Sequence, residues 1–217
     1  MYSVDGRGVV PIGILNLGAT VSLKPKIRNI IFEGGELPGK FLLYNIHFHW
    51  GNRDLAGSEH RLDGRAFPLE MHLVTYNTKY RDMVEAAGME DGIHVAAIVF
   101  ERSWRANTGL SFCINKLRRV RNPGLQTDGG MFNISSLLPS PNVPYYRYRG
   151  SLTTPPCTGN VLWSVYSSPL TISGRQLAQF RLLHLNTVAN RYFGGNSRPV
   201  QPLNNRLIIT NNPLFSK

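Results

Sequence analysis

Short apolar runs rich in β-branched and aromatic residues, separated by frequent turn residues, dominate the pattern of this chain. The clearest runs are Phe41–Trp50, Leu69–Tyr76, Ile93–Phe100, Val161–Tyr166 and Arg206–Thr210. Gly, Pro, Asn and Asp stand between them, which is typical of strands joined by turns. We therefore predict strands at these five places.

Helical periodicity is rare by comparison. One helix is predicted over Gly109–Val120, and a second is predicted after Ser173, which suits an N-cap. The second carries Leu177, Phe180 and Leu183 on one side. No repeat, low-complexity linker or change in composition divides the chain, so we expect a single, mainly β (α+β) domain over residues 1–217.

The composition is that of a globular protein. The 217 residues are 42% hydrophobic and 17% charged, too few charges for a disordered chain. A chain of this length buries roughly 70% of its unfolded surface without needing a disulfide or a metal. No apolar run is long enough for a membrane span, and the first residues lack the apolar core of a signal peptide.

The net charge raises the question of polyanion binding. The chain has 24 Lys and Arg against 13 Asp and Glu, a formal charge of +11. Its one dense basic group lies beside apolar residues and predicts the solvated face of an amphipathic helix: Lys116, Arg118, Arg119 and Arg121. Nucleic acid is accordingly not an expected partner.

Three histidines are candidates for a metal site. His47 and His49 are two residues apart in a predicted strand, so their side chains leave the same face. Antiparallel pairing with the next strand would bring His72 beside them. Three nitrogens with a fourth position open are typical of catalytic zinc. A His-x-His pair on a strand also fits a solvated face, so the histidines alone leave both interpretations open.

The residues that flank the histidines favour the metal. Imidazoles that bind metal usually donate their other N–H to an amide, carboxylate or carbonyl. Asn45 precedes His47 by two residues and Glu70 precedes His72 by two, so each faces the same way as its histidine. Both lie among apolar neighbours, where an exposed polar face fits less well.

Ordered motifs then identify a family. The chain resembles the α-class carbonic anhydrases in His47–Gly51, Gly57–His60, Glu70–Val74, Asn77–Tyr80 and Gly150–Pro156. The resemblance continues through Trp163 to Asn196–Pro199 and Pro202–Arg206, and it covers nearly all of the chain from Ile14 onward. It implies one domain around a large, twisted, mostly antiparallel sheet with a few short surface helices.

The same resemblance implies a function and a set of site residues. His47, His49 and His72 would hold Zn²⁺ for the reversible hydration of CO2 to bicarbonate and a proton. Thr153 would accept a hydrogen bond from the zinc-bound hydroxide and donate a hydrogen bond to Glu59. His60 and Tyr148 would form a supporting pair behind Glu70.

An apolar wall for CO2 is also implied. Its expected members are equally suited to an ordinary β core: Val74, Val95, Leu152, Val161 and Trp163. Thr154 is a further expected substrate-binding residue. An aryl sulfonamide would bind the zinc with its tail along Leu152 and Val161. His94 and His184 match no functional position of the family.

The chain departs from the family pattern near the expected site. Fast members carry a proton-shuttling histidine on the strand after an Asn-x-Gly turn, and Ala19 stands at that position. Alanine carries no proton, so we expect slow turnover with intact CO2 chemistry. Leu17 and Ser22 replace polar residues that order water. Asn45 replaces a longer glutamine, so its bond to His47 is expected to be long or bridged by water.

The N-terminal part and the cysteines bear on stability and compartment. Met1–Gly13 does not resemble the family's leading segment, from which we expect low stability or a weak dimer. Cys157 stands where secreted and membrane-anchored members have a disulfide cysteine, and Cys113 is expected to be a buried thiol. Together with the sequon at Asn133, this favours a secreted protein, with a cytoplasmic one as the alternative.

Two functions of different class follow. The first is an active zinc carbonic anhydrase with CO2 and bicarbonate as substrates. The second is a carbonic-anhydrase-like binding or adhesion module that no longer turns over. Members of the second kind have usually lost a zinc ligand, and this chain keeps all three histidines, which favours the enzyme.

Overall fold

A computed structural model describes residues 3–4, 8–186 and 195–212 of the chain. The strands are β1 Ser3–Val4, β2 Val9–Asn16, β3 Val21–Pro25, β4 Ile31–Glu33, β5 Phe41–Trp50, β6 Leu69–Asn77, β7 Ile93–Ser103, β8 Gln126–Asn133, β9 Tyr145–Gly150, β10 Val161–Tyr166, β11 Leu170–Ser173 and β12 Ile208–Thr210. The helices are α1 Met83–Ala87, α2 Ser111–Leu117 and α3 Gly174–Arg181, with 3-10 turns at Arg118–Val120 and Ile134–Leu137. Residues 1–2 and 5–7 of the N-terminal segment considered above lie outside this description.

One mixed sheet organises the described chain. Its main path runs β12-β9-β10-β7-β6-β5-β3-β2-β8, with β1, β4 and β11 attached beside it. All pairings are antiparallel except those of β7 with β10 and with β11. The mainly β fold with a few short helices and a mostly antiparallel sheet is confirmed.

The predicted strands are largely found. The runs at Phe41–Trp50 and Val161–Tyr166 are strands over those bounds, and the runs that begin at Leu69 and Ile93 extend slightly further. The last prediction was too long, because only Ile208–Thr210 pairs with β9.

Both predicted helices are present. The first is split, since α2 ends at Leu117 and a 3-10 turn continues it to Val120. The second begins after Ser173, whose hydroxyl accepts from the Gln176 N–H in a capping box. In the part of the chain described here, no helix is long and apolar enough to cross a bilayer.

The central strands separate two apolar clusters. Strand β6 is buried along its whole length because β5 and β7 pair with its two edges and side chains cover both faces. Leu69, Met71 and Leu73 face the larger cluster, which also contains Phe48. Val74 belongs to the smaller cluster on the opposite face. That opposite face also carries the histidines.

Candidate metal centre

Strand register brings the three histidines together. His47 lies directly opposite His72 in the antiparallel pairing of β5 with β6, and His49 follows on the same face of β5. The ring of His49 lies 4.7 Å from that of His72, and the ring of His47 lies 5.1 Å from each of the other two. One nitrogen from each ring can be chosen so that all three lie within 4.8 Å of one another.

The outer nitrogen of each ring meets an oxygen acceptor. The contacts are His47 Nδ1 to Asn45 Oδ1 at 3.2 Å, His49 Nδ1 to the Asn196 carbonyl at 3.1 Å, and His72 Nε2 to Glu70 Oε1 at 2.6 Å. Because an acceptor faces each outer nitrogen, that nitrogen carries the ring proton. The inner nitrogens therefore present lone pairs.

Asn45 reaches His47 without a bridging water. Its contact of 3.2 Å is at the long end of the range for a hydrogen bond. Of the two alternatives expected for the shorter amide, the long bond is the one observed.

The inner nitrogens fit a metal ion. His49 Nε2 is buried without a hydrogen-bond partner among the described residues. His72 Nδ1 lies 3.3 Å from His47 Nε2, although both carry lone pairs. Two nitrogens bound to one tetrahedral zinc at about 2.0–2.1 Å are about 3.3–3.4 Å apart. A cation between the rings would convert a repulsive arrangement into a stable one.

Burial keeps the rings of His47 and His49 neutral. Desolvation lowers the pKa of His47 well below its ordinary value of 6.5, and the neighbouring His72 and His49 lower it further. Desolvation also lowers the pKa of His49, against the opposing effect of Glu59. Neutral imidazole is the form that binds a metal.

Glu70 anchors the cluster from behind. Its Oε2 accepts the backbone N–H groups of Glu59 and His60, both at 2.8 Å, and its Oε1 accepts from His72. Burial opposes ionisation, but the contacts with His60 and His72 outweigh it and hold the Glu70 pKa well below its usual range. Glu70 is thus a fixed carboxylate that orients the third histidine.

His60 and Tyr148 form the predicted pair. His60 Nδ1 lies 2.6 Å from Glu70 Oε1, and its Nε2 lies 2.7 Å from the Tyr148 hydroxyl. Burial lowers the His60 pKa, but the Glu70 carboxylate prevails and raises it. The structure therefore brings both residues to the predicted place behind Glu70.

The predicted hydrogen bond from Thr153 to Glu59 is not formed among the described residues. Glu59 Oε1 instead accepts the backbone N–H of Arg198 at 2.7 Å and lies 3.1 Å from His49 Nδ1. Glu59 Oε2 is buried and has no hydrogen-bond partner in this part of the chain. Thr153 lines the same cavity as Glu59. The two residues thus face a common cavity, and the buried Glu59 Oε2 is an acceptor without a partner among the described residues.

The predicted apolar wall is assembled beside the histidines. Four of its members belong to one buried cluster against which Leu152 packs: Val74, Val95, Val161 and Trp163. The Trp163 ring lies 4.8 Å from the His72 ring, and its Nε1 donates to the Ser151 carbonyl at 3.1 Å. Thr154 is half-buried in the adjoining loop.

Ala19 does not lie on a strand, contrary to the prediction. It is half-buried in the bend between β2 and β3, where Asn16 Oδ1 accepts the Gly18 N–H at 2.9 Å. Because the turn residues form local hydrogen bonds, strand β3 begins only at Val21. Ser22 pairs with His47 across β3 and β5, and Leu17 is exposed.

Asn196 and Arg198 are site residues that a reading of side chains does not single out. Both act through backbone groups, the Asn196 carbonyl on His49 and the Arg198 N–H on Glu59. The Asn196 side chain also bonds to the backbone of Trp50 and Phe48. The sequence indicates only that His49 needs a hydrogen-bond acceptor. The acceptor is the Asn196 carbonyl, which lies 147 residues away in the chain.

The remaining sequence candidates lie apart from the cluster. His94 is buried in the sheet, whereas His184 is exposed and lies 2.7 Å from Asn122 Oδ1. Cys113 is buried and Cys157 is half-buried, and neither forms a disulfide. Burial raises the pKa of the Cys113 thiol to about 12, so it stays protonated. Asn133 of the sequon is exposed.

Comparison with known proteins agrees with this geometry. The chain is 36% identical over 212 residues to carbonic anhydrase 3 of Homo sapiens, which covers 95% of this chain and 80% of that protein. It is 37% identical over 203 residues to carbonic anhydrase 6 of Canis lupus familiaris, covering 91% and 62%. It is 35% identical over 206 residues to carbonic anhydrase-related protein of Homo sapiens, covering 90% and 70%.

A sequence model of the family gives the same result across the chain. The model described as eukaryotic-type carbonic anhydrase matches residues 4–212. The match spans the mixed sheet, the histidine cluster and the loop that carries Thr153. The chain therefore belongs to the eukaryotic-type, or α-class, carbonic anhydrase family.

Proposed function

We propose that this chain binds a zinc ion through His47, His49 and His72 and catalyses the reversible hydration of CO2. The observation that carries the proposal is the convergence of their inner nitrogens, of which His49 Nε2 is buried without a partner in the described chain. When bound, zinc is a Lewis acid that brings the ionisation of a water molecule close to neutral pH.

The residues around the cluster have distinct tasks in this proposal. Asn45, Glu70 and the Asn196 carbonyl fix the three rings, so that no reorganisation is needed when substrate enters. Trp163 and the valines beside His72 exclude water from one side of the cluster. An apolar wall suits CO2, which has no net charge or dipole to be solvated.

Thr153 and Glu59 supply orientation. A movement of Thr153 that brought its hydroxyl within hydrogen-bond distance of Glu59 Oε2 would satisfy the buried acceptor. The Thr153 oxygen would then be available only as an acceptor toward a reacting water molecule. Only one orientation of that water would be productive, which is a positioning effect.

Proton release is the slow step in the proposal. The product proton must reach buffer, and Ala19 offers no group to carry it at the bend between β2 and β3. We therefore expect turnover in weak buffer to depend on added buffer, while the interconversion of CO2 and bicarbonate does not.

A carbonic-anhydrase-like binding module is the second candidate. Two observations favour it: the Thr153–Glu59 hydrogen bond is missing in the described chain, and the identity to a carbonic anhydrase-related protein, at 35%, is close to that for carbonic anhydrase 3, at 36%. In this case zinc would bind without turnover.

Stopped-flow CO2 hydration on zinc-loaded protein separates the two functions, provided bound zinc is measured on the same sample. We expect activity that an aryl sulfonamide abolishes and that Thr153→Val strongly reduces while zinc content stays constant. Thr158→Val, which makes the same exchange of a hydroxyl for a methyl group in the same loop, is the matched control. Bound zinc without activity would favour the module, and activity that persists without zinc would contradict the proposal.

A further inference from the structure

Strand β12 forms an open edge of the sheet among the residues that the structure describes. In the chain as described, β12 is the terminal strand of the sheet path and pairs only with β9, with Ile208 opposite Tyr148 and Ile209 opposite Arg147. The free side of an edge strand presents unpaired N–H and C=O groups, which form a template for another strand.

This edge is apolar and exposed. Leu207, Ile208 and Ile209 are successive residues with exposed fractions of 77%, 48% and 45%. Natural edge strands are usually protected by charged residues, by proline or by a covering segment. None of these three residues is charged, and none is a proline. Val200 and Leu203 extend the exposed apolar surface beside the strand. An apolar patch around an open edge marks an interaction surface.

Cavities lie on both faces of the same edge. One of about 630 Å³ is lined by Ile208 together with Val200 and Leu203. A second of about 310 Å³ is lined by Leu207 and Ile209. Successive side chains of an added strand point to opposite faces, so its alternate residues would enter these two cavities.

Charge decides which occupant fits. The larger cavity is lined by Arg61, Arg149, Arg198 and Arg206, and its one acidic lining residue among those described is the buried Glu59. A second copy of this chain paired edge to edge would bring two such arginine groups together. A segment that carries carboxylates would instead neutralise them.

We infer that the open edge of β12 accepts an extended, acidic segment of a partner protein as an added β-strand. Main-chain hydrogen bonds to β12 supply the docking, apolar side chains enter the two cavities, and carboxylates contact the arginines. The inference concerns the sheet edge, and its larger cavity is also lined by Glu59 and Thr153 of the proposed site. Peptide binding is measured without turnover, so its test does not depend on the proposed activity.

The probe is a fluorescein-labelled peptide of alternating valine and glutamate residues, titrated with the full chain and followed by anisotropy. We expect saturable binding that weakens about tenfold or more when lysine replaces glutamate in the peptide, or in the Arg149→Glu variant. Ile209→Lys should abolish binding, because a lysine on an edge opposes pairing. Val84→Lys and Arg118→Glu, on exposed surfaces elsewhere, are the matched controls and should bind as the parent does.

Hydrogen exchange tests whether a strand is added. Amides of residues 207–210 should become protected by the peptide, and a peptide with alternate N-methylated amides should neither bind nor protect. Equal binding of the lysine peptide, or binding without protection of these amides, would overturn the inference. Sedimentation that reveals a dimer abolished by Ile209→Lys would assign the edge to a second copy and would overturn it equally.

Discussion

His94 makes the stability of the fold depend on pH. His94 lies on β7, and its buried ring contacts the neighbouring strands β6 and β10. Its Nδ1 is 3.2 Å from Thr75 Oγ1, and its Nε2 is 3.1 Å from Ser164 Oγ. These two contacts are with hydroxyls, which carry no charge that could offset a proton on the ring. Burial, and to a lesser extent the Arg147 guanidinium, lowers the His94 pKa from 6.5 to about 3.

The size of the effect follows from proton linkage. Below pH 6.5 the unfolded chain binds a proton at His94, whereas the folded chain binds it only below about pH 3. Stability is therefore lost as the pH falls through this window, at up to about 1.36 kcal/mol per pH unit. Between pH 7 and pH 5 the His94 contribution amounts to about 2 kcal/mol.

The assay is urea unfolding of the parent and His94→Gln at pH 7, 6 and 5. Burial also lowers the pKa of His47 and His49, so these two histidines also make the fold less stable in acid. Only the difference in unfolding free energy between the two proteins isolates the effect of His94. We expect that difference to change by about 2 kcal/mol in favour of the variant between pH 7 and pH 5. Leu177→Ala, a core variant without a titratable group, should give a constant difference. A constant difference for His94→Gln would refute the reasoning.

Three further predictions concern the site and the fold. In Glu70→Gln, the amide NH₂ would face N–H donors in either orientation of the side chain. Zinc affinity measured by chelator competition should therefore fall about 10–100-fold. The surface variant Glu101→Gln should keep the zinc affinity of the parent. Ala19→His should raise turnover in weak buffer without altering CO2 exchange at equilibrium; an unchanged turnover would show that proton transfer is not limiting. Ser173→Ala removes the cap of α3 and should lower the free energy of unfolding by about 1 kcal/mol in urea. A loss within error would contradict the role of the cap.

The sequence predicts the centre of the sheet well because its strands are long and apolar. Strands β5, β6, β7 and β10 are such runs, and the two-residue period places His47 and His49 on one face without further information. The N-cap at Ser173 is equally local. These features depend on residues close together in the chain.

The peripheral strands and the supports of the site are harder to predict. Strands β2 and β8 contain glycine and, in β2, proline, so their apolar alternation is interrupted although it is real. The Arg198 N–H reaches Glu59 from 139 residues away. Such contacts depend on the completed topology and on backbone atoms that every residue has.

Zinc binding by the histidine cluster is the central claim, and equilibrium dialysis against a competing chelator tests it most directly. The parent chain and the exposed-surface control His184→Ala should each retain a single zinc ion per chain. His49→Ala removes one of the three converging nitrogens, so we expect it to lose that zinc while its far-ultraviolet circular dichroism remains that of the parent. Zinc retained by folded His49→Ala with unchanged affinity, or no zinc in the parent, would contradict the account.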